Sequence, residues 1–504
     1  MNPRESYQSE PSDRGSKLVF VRAAAVIDGA GYYAAPGALL LRFAPPPAIA
    51  HAPILLASGS PTEVASHPLA AGAEPVDLSR HVLFPGLVNA HTHLDLTHVG
   101  PRSFEATGGG GGFMGWIDMV RAERAVEPDR VVESIRQGID RSLAAGVVAV
   151  GDIAGAPKGR ASLIPWQTLS DSPLIGVSYL EFFAMGKTVS PVLERVAELL
   201  HEVECMCRVK GDGGAILPSR VAIGLQPHAP NTVSPEGYRR ALRLAAQFGV
   251  RLSTHLSESE AEREFVADGT GPQRDLLQRL GQWSDEVRLD FGAGRTPVQH
   301  FAREHGEHGE PRQAAAYIVA HVNYAGDGDL CLLRHCGVNV AYCPRASEYF
   351  GAQKRFGPHR YRDMLARGIN VALGTDSVIN LPCADRISVL DEMRLLYQRD
   401  GTDPQLLLAM ATLNGARALG LDDHLFRFAP IESDHPLAGV AALELPQLAA
   451  DAALVKTLNP WVEIVRSTSH PILLSRRNIS RLTASNAGPL GVPFAGAKPT
   501  EAPR

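Results

Sequence analysis

Two histidines flank a threonine in the stretch LFPGLVNAHTHLDLTHVG, residues 83–100 of a 504-residue chain that contains eighteen histidines. Along an extended strand alternate side chains share a face, so His91 and His93 point the same way while Thr92 points away. Two imidazoles so placed can share one metal ion at about 2.0–2.1 Å each. Four further apolar runs each stop at an ionisable residue just before a loop: His228 closes VAIGLQPHAP, His255 closes VRLSTHL, His321 closes AYIVAHV and Asp376 closes INVALGTD. If those runs are strands of one barrel, their ends meet in one pocket.

The elements that must position them follow a clear rhythm. From about residue 83, the strand-like runs LVNAHTH, GVVAVGDIA, LIGVSYLEFF, RVAIGLQPHAP, VRLSTHLSE, AYIVAHVNY, VNVAYCPRA and INVALGTDS alternate with amphipathic segments such as SPEGYRRALRLAAQF. Eight strands, each feeding a helix, predict parallel βαβ units and an α/β fold of the TIM (β/α)8 barrel type over residues 83–422. A doubly wound open sheet would need a Gly-rich nucleotide loop after an early strand, and no G-x-G-x-x-G stands there. Before the barrel, KLVFVRAAAVID, GALLLRFAP and PILLAS read as short strands joined by Gly/Pro turns. The predicted division is a tail at 1–16, a small β-sandwich domain from 17–82 and 423–480, the barrel at 83–422, and a second tail at 481–504.

Taken together, PGLVNAHTHLDL, LQPHAP, THLSESEAE, IVAHVNY, AYCPRASEYF and VALGTDS resemble the amidohydrolase superfamily, and most of all its branch of amino-heterocycle deaminases and triazine hydrolases. The resemblance runs from about residue 18 to 422. It implies a metal-dependent hydrolase with a small β-sandwich built from both chain ends. Carried over position by position, it makes His91, His93, His255 and Asp376 the metal ligands. Glu258 and His321 become the proton-transfer and orienting groups, Asp376 also accepts the proton of the attacking water, and His228 becomes a substrate contact. Three neutral imidazoles and one carboxylate suit one divalent ion, zinc with iron as the alternative, and such an ion lowers the pKa of bound water from 15.7 toward about 7. Glu258, in H-x-x-E beyond the strand, reaches a substrate from the loop and acts as a general acid on a ring nitrogen. Its neighbours Glu260, Glu262 and Glu264 read as solvated. Two-metal members place a bridging lysine at the end of the fourth strand, whereas here the nearest preceding lysine is Lys210, before that strand.

The loops HTHLDLTHVGP, FMGWIDMVR and GVSYLEFF look most like those of aminodeoxyfutalosine deaminases of menaquinone biosynthesis, with adenosine- and S-adenosylhomocysteine-type deaminases close by. That likeness implies removal of an exocyclic amine from an amino-purine-like ring by a metal-bound hydroxide, with Trp116 stacking on a base and Glu181 binding a ribose hydroxyl or ring N–H. A chlorohydrolase or amidohydrolase using the same metal site is the alternative, and a silent scaffold the remote one. The His/Cys/Cys zinc deaminases are excluded because PCADR lacks a second cysteine.

Composition bounds the partners. The formal net charge is −5, with 45% hydrophobic and 20% charged residues, which leaves no electrostatic footprint for nucleic acid or an anionic membrane. No apolar run approaches about 18 residues and the polar N-terminus has no signal-like core, so a cytoplasmic protein acting on a small molecule, without nucleic-acid or membrane partners, is expected. A homodimer is expected from the family resemblance. Cys205, Cys207, Cys331, Cys336, Cys343 and Cys383 match no zinc or disulfide framework and read as buried small apolar residues. Gly108–Gly112 reads as a lid or an insertion after the first strand, and 290–312 as a second insertion whose His300, His305 and His308 face solvent. His98 falls outside the ligand set.

Overall fold

The computed structural model describes residues 15–46, 48–104, 112–209, 220–306, 317–429, 434–449, 454–455 and 457–479. The two expected tails fall almost entirely outside these residues, as do the glycine run save Gly112, and 307–312 of the second insertion. Among the described residues no helix is long and apolar enough to cross a membrane.

The chain opens with β1 (Lys17–Ile27), β2 (Tyr33–Ala34), β3 (Gly37–Phe43), β4 (Ile54–Gly59) and β5 (Glu74–Pro85). Their apolar residues alternate between two cores. Val19, Val21, Leu39 and Leu41 face one, with Phe428 and Val440 from the far end of the chain. Phe20, Ala38, Leu40 and Leu56 face the other, under the short helix that carries Val64. Period-two alternation in strands buried on both faces produces that division.

One residue after β5 the parallel barrel begins. Its strands are β6 (Leu87–Thr92), β7 (Val147–Ala154), β8 (Ile175–Phe182), β9 (Val221–Pro227), β10 (Arg251–Leu256), β11 (Tyr317–His321), β12 (Asn339–Tyr342) and β13 (Val371–Leu373), hydrogen-bonded in sequence order. All eight expected runs become these strands. Near-continuous Val, Ile, Leu and Ala stretches form them because both faces are covered, outside by helices and inside by other strands. The ring closes where β6 meets the end of β13, through a parallel bridge between Thr92 and Asp376.

Between strands, helices carry matching stop signals. Pro235–Phe248 starts at Ser234, whose hydroxyl accepts from Gly237 N–H, and ends at Gly249 in the left-handed region (φ 63°). Such caps satisfy the free amides and carbonyls of helix ends. Pro128–Ala144 buries Val131, Ile135 and Ile139 at four-residue spacing. Its Gly138 lets the helix approach the first strand-end loop, since a Cβ there would lie 2.6 Å from Thr97 Oγ1 and 2.9 Å from Leu94 Cδ2.

After the barrel, β14 (His435–Pro436), β15 (Val440–Glu444) and β16 (Ile472–Leu473) return to the first sheet, giving the order β14-β4-β3-β1-β5-β15-β16 with β2 beside β1. Both chain ends thus build one sheet domain beside the barrel. Asp28 fastens them: one carboxylate oxygen accepts from Ala30 and Tyr32 N–H, the other from Phe428 N–H.

Two surface expectations are corrected. His300 is 1% exposed and its ring stacks on Phe291 at 5.2 Å, because the helix Pro297–Gly306 turns it toward that apolar cluster. Of the described cysteines only Cys343 is buried. Cys205 and Cys331 are exposed, and Cys336 and Cys383 are half-buried. The exposed pair sit on the solvent-facing turns of amphipathic helices, where side-chain size exerts no packing demand.

Candidate metal centre and active site

The C-terminal ends of four barrel strands converge. His91 lies in β6 and His93 just beyond it, His255 is the penultimate residue of β10, His321 ends β11 and Asp376 follows β13 by three residues. Asp376 Oδ1 lies 3.7 Å from His91 Nε2 and 3.4 Å from His93 Nε2. His255 Nε2 faces His93 Nε2 at 3.4 Å. The ligand atoms of His91, His93 and Asp376, and separately of His91, His255 and His321, lie within 4.8 Å of one another.

The protonation states suit a cation. Burial drives His93 and His255 well below the ordinary histidine range, and drives His321 down to about 3, so all three are neutral. Burial alone would raise Asp376, but His91, His93 and His321 hold it down to about 2. The Nδ1 of His255 lies 2.9 Å from the His228 carbonyl. That nitrogen therefore carries the hydrogen, and the Nε2 lone pair points into the cluster. Both ring nitrogens of His91, and Nε2 of His321, are buried without a hydrogen-bond partner. Buried polar atoms are nearly always satisfied. A neutral His/His/His/Asp set with converging lone pairs and orphaned nitrogens fits a divalent metal.

The backbone is strained where it delivers these groups. Ser257, His321, Val322 and Asp376 have φ of 52°, 72°, 51° and 57°. For non-glycine residues, and above all for β-branched Val322, such values persist only where the surroundings enforce them. At the seam the enforcement is visible: Thr375 and Asp376 N–H both donate to the His91 carbonyl at 3.1 Å, and Thr92 Oγ1 donates to the Asp376 carbonyl at 3.1 Å. Asn89 donates to Thr375 Oγ1 at 2.8 Å and accepts from Thr375 N–H at 3.1 Å. Gly374 is the residue that allows this closeness, since a Cβ there would sit 2.9 Å from both His91 Cβ and the Cys343 sulfur.

Glu258 approaches from the loop after β10. Its Oε1 is 3.7 Å from His321 Nε2. Burial, the Asp376 charge and Glu262 together raise its pKa well above the ordinary carboxylate range, which favours its protonated form. Beyond Glu258 opens a chamber of about 250 Å³ lined on one side by Phe104, Phe113, Phe350 and Phe356.

The sequence model of the amidohydrolase family matches residues 82–431, more than half of the chain. The chain belongs to the amidohydrolase family. This amidohydrolase is 27% identical over 379 residues to an aminodeoxyfutalosine deaminase of Deinococcus radiodurans, covering 71% of this chain and 80% of that one. It is 26% identical over 357 residues to a 5-methylthioadenosine/S-adenosylhomocysteine deaminase of Moorella thermoacetica, covering 69% and 71%. In fold it superposes on an aminofutalosine deaminase of Helicobacter pylori with TM-score 0.63 at 19% identity, over 91% of this chain and 98% of that one. An atrazine chlorohydrolase of Arthrobacter aurescens crystallised with zinc gives TM-score 0.63 at 17% identity, over 93% and 98%.

The residues expected to contact substrate lie at different depths, and the Glu181 carboxylate lies within 4.8 Å of ring nitrogens of His228 and His255. Glu181, expected to contact substrate, is 1% exposed and engaged internally: it pairs with Arg124 at 3.1 Å and accepts from Ala156 N–H at 3.1 Å. Arg124 also pairs with Asp95 at 3.1 Å. Trp116 stands behind the chamber wall, packed on Phe113 (5.7 Å) and Phe350 (5.1 Å). His228 is half-buried, its Nδ1 2.7 Å from Thr232 Oγ1 and its ring 4.6 Å from that of Phe183. His98 bonds to Ser134 Oγ and the Glu123 carbonyl, away from the ligands. The Asp376 turn is held by Asn89 through Thr375, by Thr92 and by the backbone, and Ser377 Oγ donates to Asn380 Oδ1.

Glu262 is a correction. The run of charges around it predicts a solvated side chain, yet it is 2% exposed and bonded to the backbone of the Glu258 loop. Asp152, two residues before the end of β7, is a further buried acid that the sequence reading leaves out, although its place near a strand end resembles that of Asp376. It accepts from Leu94 N–H at 3.1 Å and so fixes the turn that follows His93; burial raises it to about 7. His359, Asn323 and Arg124 lie in loops with no pattern to mark them.

Proposed function

We propose that this amidohydrolase is a metal-dependent deaminase that hydrolyses the exocyclic amine from an amino-purine-like ring. The observation that carries the reading is the juxtaposition of two unlike groups in one buried pocket: the His91, His93, His255 and Asp376 cluster, and the buried Glu258 carboxyl beside it, 3.7 Å from His321. His91, His93, His255 and Asp376 would hold one divalent ion, zinc being the metal that the donor set favours, with iron as the alternative. A bound ion of that kind supplies Lewis acidity and makes water nucleophilic near neutral pH.

The chain's own residues do the rest. Ionised Asp376 takes a proton from the attacking water as its oxygen bonds to the ring carbon that bears the amine. Glu258 gives its proton to the adjacent ring nitrogen. The Nε2 of His321, 3.7 Å from Glu258 Oε1, lies beside the oxygen as it forms that bond. Asp376 returns its proton to the exocyclic nitrogen, the C–N bond breaks and ammonia leaves, and the remaining hydroxyl proton passes to Glu258, so the ring is left as the oxo compound and both carboxyl groups regain their starting states.

The aromatic chamber beside Glu258 receives what the substrate carries beyond the ring. Four phenylalanines on its wall suit an apolar or aryl substituent, in keeping with relatives named for aminodeoxyfutalosine, 5-methylthioadenosine/S-adenosylhomocysteine and 5′-deoxyadenosine. The test is an ammonia-release screen over adenosine, 5′-deoxyadenosine, 5′-methylthioadenosine, S-adenosylhomocysteine and aminodeoxyfutalosine, with chlorotriazines followed for chloride. Ammonia from an adenine-bearing compound supports the reading. Chloride release without ammonia would move the chain to the chlorohydrolases.

A further inference from the structure

The mechanism leaves one buried carboxylate unused. Glu262 sits in the first turn of the helix Glu260–Asp268, four residues after the proton carrier. Its Oε1 accepts from Ser257 N–H at 3.0 Å and its Oε2 from Glu258 N–H at 2.6 Å. Its own N–H donates to Ser259 Oγ, so both ends of the residue are fixed to the same bend.

The other side of that bend is held by the next strand end. Asn323 N–H donates to the Ser257 carbonyl at 2.9 Å, and its side-chain amide donates to the Glu258 carbonyl at 2.9 Å. The Tyr324 hydroxyl donates to the Ser259 carbonyl at 3.0 Å. Every backbone amide and carbonyl of Ser257 and Glu258 is thereby bonded, although Ser257 is in the left-handed region with φ 52°. A serine keeps that conformation only where surrounding bonds repay it. A carboxylate accepting two consecutive N–H groups does so more strongly than a neutral acceptor would.

Resting on the deaminase reading above, we propose that Glu262 is a positioning residue for the proton transfer. Together with Asn323 it clamps the backbone of Ser257 and Glu258, so that the Glu258 carboxyl lies where it meets both His321 and the substrate ring. Glu262 touches neither metal ligand nor substrate and acts only through Glu258.

The test combines Glu262→Gln, Glu258→Gln and the double variant. Glutamine keeps the size of Glu262 but turns an N–H₂ against a backbone N–H. With the panel member turned over fastest, Glu262→Gln is expected to lose about 10–100-fold in kcat with KM within about threefold, since small misplacements of a reacting group have effects of that order. In the Glu258→Gln background the second change should add less than about twofold, because residues acting through one group are not additive. Hydrogen–deuterium exchange, which needs no substrate, should show faster exchange at 257–259 with metal content and Tm retained. Asn323→Ala, which removes the opposite clamp, gives the same comparison if Glu262→Gln fails to fold.

Unchanged kcat or unchanged exchange in Glu262→Gln overturns the proposal. So does a multiplicative loss in the double variant, which marks a general structural role. Full activity in Glu258→Gln overturns the deaminase mechanism and this inference with it. Loss there with Glu262→Gln intact overturns this inference alone.

Discussion

The floor of the pocket and its outer chamber are built on opposite principles. At the floor, His91, His93, His255, His321 and Asp376 come from strand ends or the residues just beyond, and backbone bonds across the barrel seam tie Asp376 to His91. The chamber is built on loops and short helices, its shape set by rings packed on rings: Phe350 meets Phe104 at 5.7 Å, Phe113 at 5.2 Å and Trp116 at 5.1 Å. Hydrogen bonds hold the floor in one geometry, whereas aromatic packing tolerates exchange of one ring for another. A catalytic centre needs the first kind of precision and a specificity pocket can vary with the second.

Substitutions can break that contrast in order of expected effect. His255→Ala at the floor should bring ammonia release to background with every substrate, because it removes a ligand and leaves the neighbouring His93 nitrogen unmatched. Retained activity with any panel member would show that β10 does not supply a ligand. Glu258→Gln should lower kcat by about 10²–10⁴-fold while substrate still binds, the range for loss of a positioned acid; pre-steady-state and steady-state assays together separate the two. Phe350→Ala in the chamber should behave differently. It should lower kcat/KM by about 10–100-fold for compounds with bulky 5′ substituents and far less for adenosine, the scale of one buried aromatic contact. Equal loss with both classes would place Phe350 in the chemistry and abolish the distinction.

The smallest effect concerns stability. His359 lies under the floor, its Nε2 donating to the His321 carbonyl at 2.8 Å, its Nδ1 accepting from Tyr361 N–H and its ring 3.7 Å from that of Tyr342. Burial lowers it to about 4. The native state therefore binds fewer protons than the unfolded chain between pH 4 and 6.5, so His359 contributes stability above pH 6.5 that is lost as pH falls toward 4. Denaturant melts of His359→Gln across that window should show a shallower acid decline than the parent. An identical slope would mean that other groups set the acid limit.

The same contrast explains what could be read from the sequence. Buried parallel strands are short runs of Val, Ile, Leu and Ala, and an ionisable residue closing such a run stands out; that signal located all eight strands and every floor residue. Asp152 stands near its strand end but is left out of the sequence reading; its role is to hold the turn after His93. The chamber has no comparable mark. Whether Trp116 lines the cavity or backs it depends on how its helix meets Phe350, and Glu181, near the end of β8, turns to Arg124, which no pattern in the sequence marks. Glu262 failed for another reason: four charged neighbours in SESEAERE suggest a solvated face, while the helix phase turns this one residue inward to the bend. His300 was misjudged in the same way.

Metal stoichiometry tests the central claim most directly. Plasma mass spectrometry of the purified chain and of Asp376→Ala, paired with ammonia release, should find about one divalent ion per chain in the parent, with zinc leading, as a single four-ligand site requires. The variant should lose both the ion and the activity. A metal-free parent that deaminates, or an Asp376→Ala chain with full metal and full activity, would contradict a catalytic metal held by these four residues.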